Sequence, residues 1–106
     1  MKRIEFSGER AIERFGSSGA LVRRLAPEAH VVVIELEPGG LVGRHPAASA
    51  QLFAVVSGSG WVSGDDGLRK QISAGEAVLW EAGEEHESGS DEGMTVLVVE
   101  ADAIDA

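Results

Sequence analysis

Residues 39–58 read GGLVGRHPAASAQLFAVVSG, and this stretch decides the fold that we predict for the chain. A second stretch, residues 75–90, reads GEAVLWEAGEEHESGS. Each stretch begins with glycine and contains one histidine, His45 in the first and His86 in the second. The sequence contains only three histidines, so these two stretches are where we expect any binding or catalytic site.

Turn-forming residues divide the rest of the sequence into short segments. Clusters of Gly, Pro, Ser and Asp recur along the chain, and the segments between them are rich in Val, Ile, Leu and Trp. Short strands with turns about every 8 to 12 residues are typical of an all-β sandwich or barrel. Only residues 9–16 have the composition of a helical turn, and they fit an edge strand equally well.

Length and composition limit the class of protein. A chain of 106 residues is expected to form one domain, residues 1–106, around a single core. It contains no cysteine, which excludes disulfides and thiolate metal sites. No apolar run approaches the roughly 20 residues that span a bilayer, and the N-terminus lacks the apolar segment of a secretion signal, so we expect a cytoplasmic protein. The net charge of −9 opposes binding to nucleic acids or anionic membranes.

Residues 51–56 predict a strand that is covered on both sides. Gln51 and Phe53 lie on one face of an extended segment, and Leu52, Ala54 and Val56 lie on the other. A strand that is apolar on both faces must be buried on both, and a small domain has only one interior. We therefore predict a homodimer, the commonest closed oligomer. The alternative is that the N-terminal segment folds over the second face.

The two stretches resemble the two motifs of the cupin superfamily, in particular its small single-domain bacterial members. The spacing of the first motif is kept by Gly39, His45, Ala47, Gln51 and Gly58. The spacing of the second motif is kept by Gly75, Glu81, Gly83, His86 and Ser90. The resemblance covers residues 39–58 and 75–90, about half of the chain, and implies a double-stranded β-helix, or jelly-roll barrel.

The resemblance also implies a metal site, which is incomplete in this sequence. In the family, two histidines and a glutamate of the first motif and the histidine of the second bind a divalent ion. The corresponding residues are His45, Ala47, Gln51 and His86. Alanine has no donor atom, and a glutamine oxygen is a weaker ligand than a carboxylate. His45, Gln51 and His86 are thus the candidate ligands of one weakly bound Mn, Fe, Ni, Zn or Cu ion. Alternatively, Gln51, His86 and a water satisfy His45 without a metal.

Three further residues are candidates for contact with a small molecule or cofactor. Phe53 shares a face with Gln51, and Trp80 lies close in sequence to the loop that contains His86. Glu81 or its neighbour Glu84 is a candidate acid, base or substitute metal ligand. The small side chain of Ala47 is expected to leave space for a ligand in the barrel.

Two functions follow from this interpretation. The first is a small-molecule-binding cupin with a pocket around His45, Gln51 and His86, which as an enzyme would be a metal-assisted oxygenase or isomerase. The second is a non-catalytic ligand-sensing or scaffold cupin whose histidines are structural and bind no metal. The fold supports both, since cupins include enzymes and non-enzymes.

Overall fold

Ten β-strands form the regular structure of the part of the chain that the computed structural model describes, residues 1–4, 10–11, 21–22 and 28–104. The strands are β1 (Lys2–Ile4), β2 (Arg10–Ala11), β3 (Leu21–Val22), β4 (His30–Leu36), β5 (Gly40–Pro46), β6 (Ala50–Ser63), β7 (Lys70–Ser73), β8 (Ala77–Trp80), β9 (Glu85–Ser90) and β10 (Met94–Ala101). These residues contain no helix, which confirms the all-β prediction, and therefore none that could cross a membrane. Of the segment 9–16, only Arg10–Ala11 lies within the described residues, and it is a strand paired with β3.

The long strand β6 belongs to both layers of the fold. Its first part pairs with β8 and β10, in a sheet whose strand order is β1-β8-β6-β10-β4. Its last part, from residue 59, pairs with β7 and β9, and β9 in turn pairs with β5. All of these pairings are antiparallel. Two antiparallel sheets that share a strand in this way form the predicted double-stranded β-helix.

Gly58 marks the point at which β6 passes from one sheet to the other. Its φ of +80° lies in the left-handed region that favours glycine, and a Cβ atom there would collide with the backbone of Gly93. Phe53 and Val55 face the core before this point and Val62 does after it, because β6 has one extra residue, Val56, in its pairing with β10. The motif glycine is therefore required by the geometry of the shared strand.

The main core lies between the two sheets. Its buried residues come from both layers and are Leu36, Ala47, Phe53, Val55, Val62, Ile72, Val78, Trp80, Met94, Val96 and Val98. A second, smaller cluster covers the outer face of the larger sheet and contains Ile4, Leu52, Ala77, Leu79 and Val99. At about 25 cal/mol per Å² of apolar surface removed from water, these clusters supply the main driving force for folding.

The outer face of β6 is covered in part by the chain itself. Leu52 is buried against Ile4 of β1 and Val99 of β10. Ala54 is half-buried, and Val56 is 62% exposed. Cover from another subunit is therefore not needed at Leu52, whereas Val56 has no such cover. The homodimer stays a prediction.

Candidate functional site

His45 and His86 are brought together by the pairing of β5 with β9. They are direct partners in the antiparallel register, and their ring centroids lie 4.3 Å apart. Between the pairs Val42–Ser88 and His45–His86, β5 has two intervening residues where β9 has one. This is a β-bulge, a feature that re-aims side chains and is common next to binding sites.

The bulge decides which side chain of β5 reaches the interior. In a regular strand Arg44, two residues after Val42, would share the inward face of Val42. With the extra residue, His45 joins Val42 in the lining of an interior cavity. The guanidinium group of Arg44 instead donates hydrogen bonds to the backbone oxygens of Gly64 (3.1 Å) and Asp65 (3.3 Å). The bulge thus keeps a cation out of the cavity.

Backbone carbonyls fix the tautomer of each uncharged imidazole. Nδ1 of His45 lies 2.7 Å from the oxygen of Gly43, and Nδ1 of His86 lies 3.2 Å from the oxygen of Glu84. A carbonyl oxygen only accepts hydrogen bonds, so Nδ1 is the protonated nitrogen in both rings. Each uncharged ring therefore has an unprotonated Nε2 that can accept a hydrogen bond or bind a metal.

His86 is the more buried of the two histidines. It is 4% exposed, whereas His45 is solvent-exposed. Burial lowers the pKa of His86 below its ordinary value of 6.5, and the hydrogen bond to the Glu84 carbonyl opposes this shift in part. The neighbouring His45 lowers the pKa further. His86 is therefore held in its uncharged form at neutral pH.

Aromatic side chains form the wall beside His86. The ring of Trp80 lies 4.5 Å from that of His86, centroid to centroid, and 5.3 Å from that of Phe53 in an edge-to-face arrangement. Trp80 is fully buried and its indole N–H donates to the Ser63 carbonyl at 3.1 Å. The hydrogen bond and the packing hold this wall in one position.

A cavity of about 150 Å³ lies between the histidines and the larger sheet. Most of its lining is apolar, and the polar groups are few. The lining residues are Val32, Ile34, Val42, His45, Gln51, Phe53, Trp80, His86, Ser88, Val98 and Glu100. The pairing of the strands thus brings His45, Gln51, His86, Phe53 and Trp80 together around one cavity.

Glu100 is a cavity residue that the sequence analysis missed. It is the direct partner of Gln51 across β6 and β10, and the Gln51 amide nitrogen donates to its Oε1 at 2.7 Å. The signal was present in β10, where Val96 and Val98 alternate as core residues and Glu100 continues the same face. A carboxylate therefore does line the cavity, but it comes from β10.

Glu81, Glu84 and Ala47 lie outside the cavity lining. Glu81 is exposed, and its backbone N–H donates to Oε1 of Glu84 at 3.1 Å. The carboxylate of Glu84 is buried and contacts the amino group of Met1. Ala47 is packed in the main core, so the space expected beside it is filled. His30 is exposed on β4 and lines a neighbouring surface groove.

The donor groups around the cavity do not form a complete metal site. No cluster of three or more His, Cys, Asp or Glu residues that could hold an ion occurs within the described ranges. His45 and His86 offer two Nε2 atoms, and Gln51, whose amide nitrogen donates to Glu100, offers only a neutral oxygen. These residues do not fit a tightly bound resident ion, which needs at least three protein ligands.

A family model described as "Cupin domain" matches residues 32–100. The chain belongs to the cupin family. This cupin matches no curated protein. The family assignment agrees with the resemblance of the two motifs, and the matched range includes every residue of the cavity lining.

Solved structures share the fold of this cupin. A double-stranded β-helix protein from Klebsiella pneumoniae is 22% identical, with a TM-score of 0.65 over 82% of this chain and 81% of the other. An RmlC-like cupin from Shewanella frigidimarina is 24% identical, with a TM-score of 0.66 over 72% and 68%. A predicted oxalate decarboxylase from Thermotoga maritima is 24% identical, with a TM-score of 0.62 over 67% and 64%. At these identities the comparisons establish the fold alone.

Proposed function

We propose that this cupin binds a small organic molecule in the cavity between the His45–His86 pair and the Gln51–Glu100 pair. The observation that carries the proposal is the cross-strand pair of imidazoles beside the cavity, both with Nδ1 held by the backbone. Preformed apolar cavities with a few fixed polar groups are typical ligand sites. Because the polar groups are already oriented, binding requires little ordering of side chains.

The residues around the cavity have distinct parts in this function. Nε2 of His45 and Nε2 of His86 accept hydrogen bonds from the ligand. Phe53 and Trp80 pack against its apolar body. Gln51 fixes the carboxylate of Glu100.

Metal-assisted catalysis of the oxygenase or isomerase type is the second candidate function. The two free Nε2 atoms favour it, because metal-binding histidines are commonly oriented by a hydrogen bond from the other ring nitrogen. The absence of a donor at Ala47 opposes it. Any divalent ion would therefore bind more weakly than in a site with all four family ligands.

Fragment binding to the untagged protein tests the proposed function. We expect fragments of benzene size to shift the NMR signals of the cavity residues, and His45→Ala to weaken this binding. His45 is exposed, so its replacement is not expected to prevent folding. Leu68→Ala is the control, because Leu68 is 64% exposed and lies outside the cavity lining. The absence of any cavity-binding fragment would contradict the proposal.

Metal analysis of the same preparation separates the two functions. Stoichiometric Mn, Fe, Ni, Zn or Cu that is lost in His86→Ala but kept in His30→Ala would support metal-assisted catalysis. No bound metal, and no rise in melting temperature with any of these ions, would support the ligand-binding function alone.

We also propose that the protein forms a homodimer. The support is the exposure of apolar side chains on the larger sheet, where Val31, Val33 and Val56 are 57%, 63% and 62% exposed. Val31 and Val33 lie on β4, which is at the end of the strand order of that sheet. Exposed apolar edge strands are commonly paired or covered.

A further inference from the structure

Acceptors outnumber donors among the hydrogen-bonding groups that line the cavity. Nδ1 of each histidine is held at a backbone carbonyl oxygen, so Nε2 of either uncharged ring accepts a hydrogen bond. Gln51 donates one amide N–H to Glu100, and its amide oxygen is an acceptor while its second N–H remains a donor. Glu100 is a carboxylate that only accepts, whereas the hydroxyl of Ser88, like the amide of Gln51, can both donate and accept. A complementary ligand must therefore supply hydrogen-bond donors.

The orientation of Glu100 is fixed by its neighbours. It continues the inward face of Val96 and Val98 on β10, and its Oε1 accepts from the Gln51 amide at 2.7 Å. No hydrogen bond within the described residues engages its Oε2. One carboxylate oxygen thus anchors the group, and the other has no hydrogen-bond partner among the described residues.

The charges around the cavity have one sign. Its described lining contains Glu100 and neither lysine nor arginine. The adjoining surface groove, which also includes Glu100, is lined by Glu28, His30 and Asp102 and again has no lysine or arginine among its described residues. Arg44, the nearest cation in sequence to His45, is held at the carbonyls of Gly64 and Asp65. Among the residues that the structure describes, an anionic ligand in the cavity would meet a carboxylate without a compensating cation.

The size of the cavity limits the ligand. A cavity of about 150 Å³ with apolar walls holds a molecule of about the size of benzene. The walls formed by Val32, Ile34, Val98 and the aromatic pair of Phe53 and Trp80 suit an apolar body. The polar groups of the described lining are the histidine pair, the Gln51–Glu100 pair and the hydroxyl of Ser88.

We propose that the cavity selects small monocationic amines with an apolar body, and rejects carboxylates and phosphates of the same size. Glu100 is the specificity-determining residue, because its free oxygen accepts from the ammonium group. The imidazole Nε2 atoms accept further N–H donors, and the aromatic wall packs against the body. This inference rests on the proposed function, since it names the class of ligand that the same cavity binds.

Three probes of similar size test whether the cavity selects its ligand by charge. Benzylamine and benzyl alcohol are isosteric and differ at neutral pH in charge, and benzoate presents an anion of similar size on the same ring. A hydrogen bond to a charged group contributes more than one between neutral groups, so we expect calorimetry to show benzylamine binding about tenfold more tightly than benzyl alcohol. Benzoate is expected to bind at least tenfold more weakly than benzyl alcohol.

Glu100→Gln assigns the selectivity to a residue. The variant keeps the shape of the side chain and removes the charge, so benzylamine affinity should fall about tenfold, to the level of benzyl alcohol. Glu92→Gln is the matched control, because it changes the net charge equally and Glu92 is exposed in a turn outside the cavity lining. It should change the affinity less than twofold, since exposed distant charges are screened by salt. An unchanged melting temperature confirms that both variants fold.

Two results would overturn the inference, and they are distinguishable. If benzoate binds as tightly as benzylamine, or if Glu100→Gln leaves the order of the probes unchanged, selection by charge is wrong and the binding function stands. If none of the probes binds and the fragment screen is also empty, the binding function itself is wrong.

Discussion

His45 and His86 stand directly opposite each other on neighbouring antiparallel strands, with their ring centroids 4.3 Å apart. The pair depends on the bulge in β5, because regular alternation after Val42 would aim Arg44 inward instead. The same bulge leaves Arg44 bound to the carbonyls of Gly64 and Asp65. The one extra residue in β5 thus places His45 in the cavity lining and keeps the guanidinium group of Arg44 outside it.

The stability of the protein is expected to fall as the pH drops below about 6.5, the pKa of a histidine in an unfolded chain. Burial lowers the pKa of His86 in the folded state, so the unfolded chain binds more protons in this range. The contribution of His86 is fully present above the unfolded pKa and is lost as the pH falls through the lower folded value. Urea unfolding between pH 5 and pH 8, in the presence of EDTA, measures the effect.

His86→Gln should make that pH dependence smaller, because the titrating group is removed. His30→Gln is its control, since His30 is exposed. If the free energy of unfolding depends on pH equally in the wild type and in His86→Gln, the pH dependence does not come from His86.

Ala47→His is expected to destabilise the protein rather than complete a metal site. Ala47 is 5% exposed, belongs to the main core and lies outside the cavity lining. A larger polar side chain there overpacks the core, which typically costs about 1–3 kcal/mol. Chemical denaturation with and without Zn²⁺ measures both effects. A sharp gain in metal affinity, without loss of stability, would show that this position does face the cavity.

Gly58→Ala should lower the free energy of unfolding by about 1–3 kcal/mol or more. A residue with a side chain is strained at φ +80°, and the added Cβ would collide with the backbone of Gly93. Gly67→Ala separates the two causes, because its φ of +71° is similar and the space around it is open. Gly43 has neither a positive φ nor a close neighbour, so Gly43→Ala should leave the free energy of unfolding nearly unchanged. If Gly58→Ala lowers the free energy of unfolding no more than Gly67→Ala does, the backbone of Gly93 adjusts to the added Cβ and this prediction is wrong.

The homodimer proposal predicts a dimeric mass at micromolar concentration. Because β4 ends the strand order of the larger sheet, Val33→Lys should place a charge in a dimer interface there and shift the mass to that of a monomer. Leu68→Lys is the control, since Leu68 is equally exposed, at 64%, but lies in the turn region between β6 and β7. Analytical ultracentrifugation provides the measurement. A monomeric wild type would disprove the proposal.

The sequence predicted the barrel and the two histidines because both depend on local signals. Glycines at fixed spacing, short apolar segments and the motif register were sufficient for these predictions. The bulge in β5 and the inward position of Glu100 were not predicted, because both depend on which strands pair and in what register. Ala47 was expected beside the cavity because residues two apart in a strand face the same way, as His45 and Ala47 would. However, β5 ends at Pro46, so the alternation does not extend to Ala47. Strand parity is informative only within one uninterrupted strand.

The sharing of β6 between the two sheets has a consequence for cooperativity. Either sheet loses a strand when β6 detaches, so neither layer can melt while the other persists. The single hinge at Gly58 joins the two halves without a linker that would allow them to move as separate bodies. The scaffold around the cavity is therefore expected to unfold as one all-or-none unit, and the ligand binds to a frame that keeps its shape.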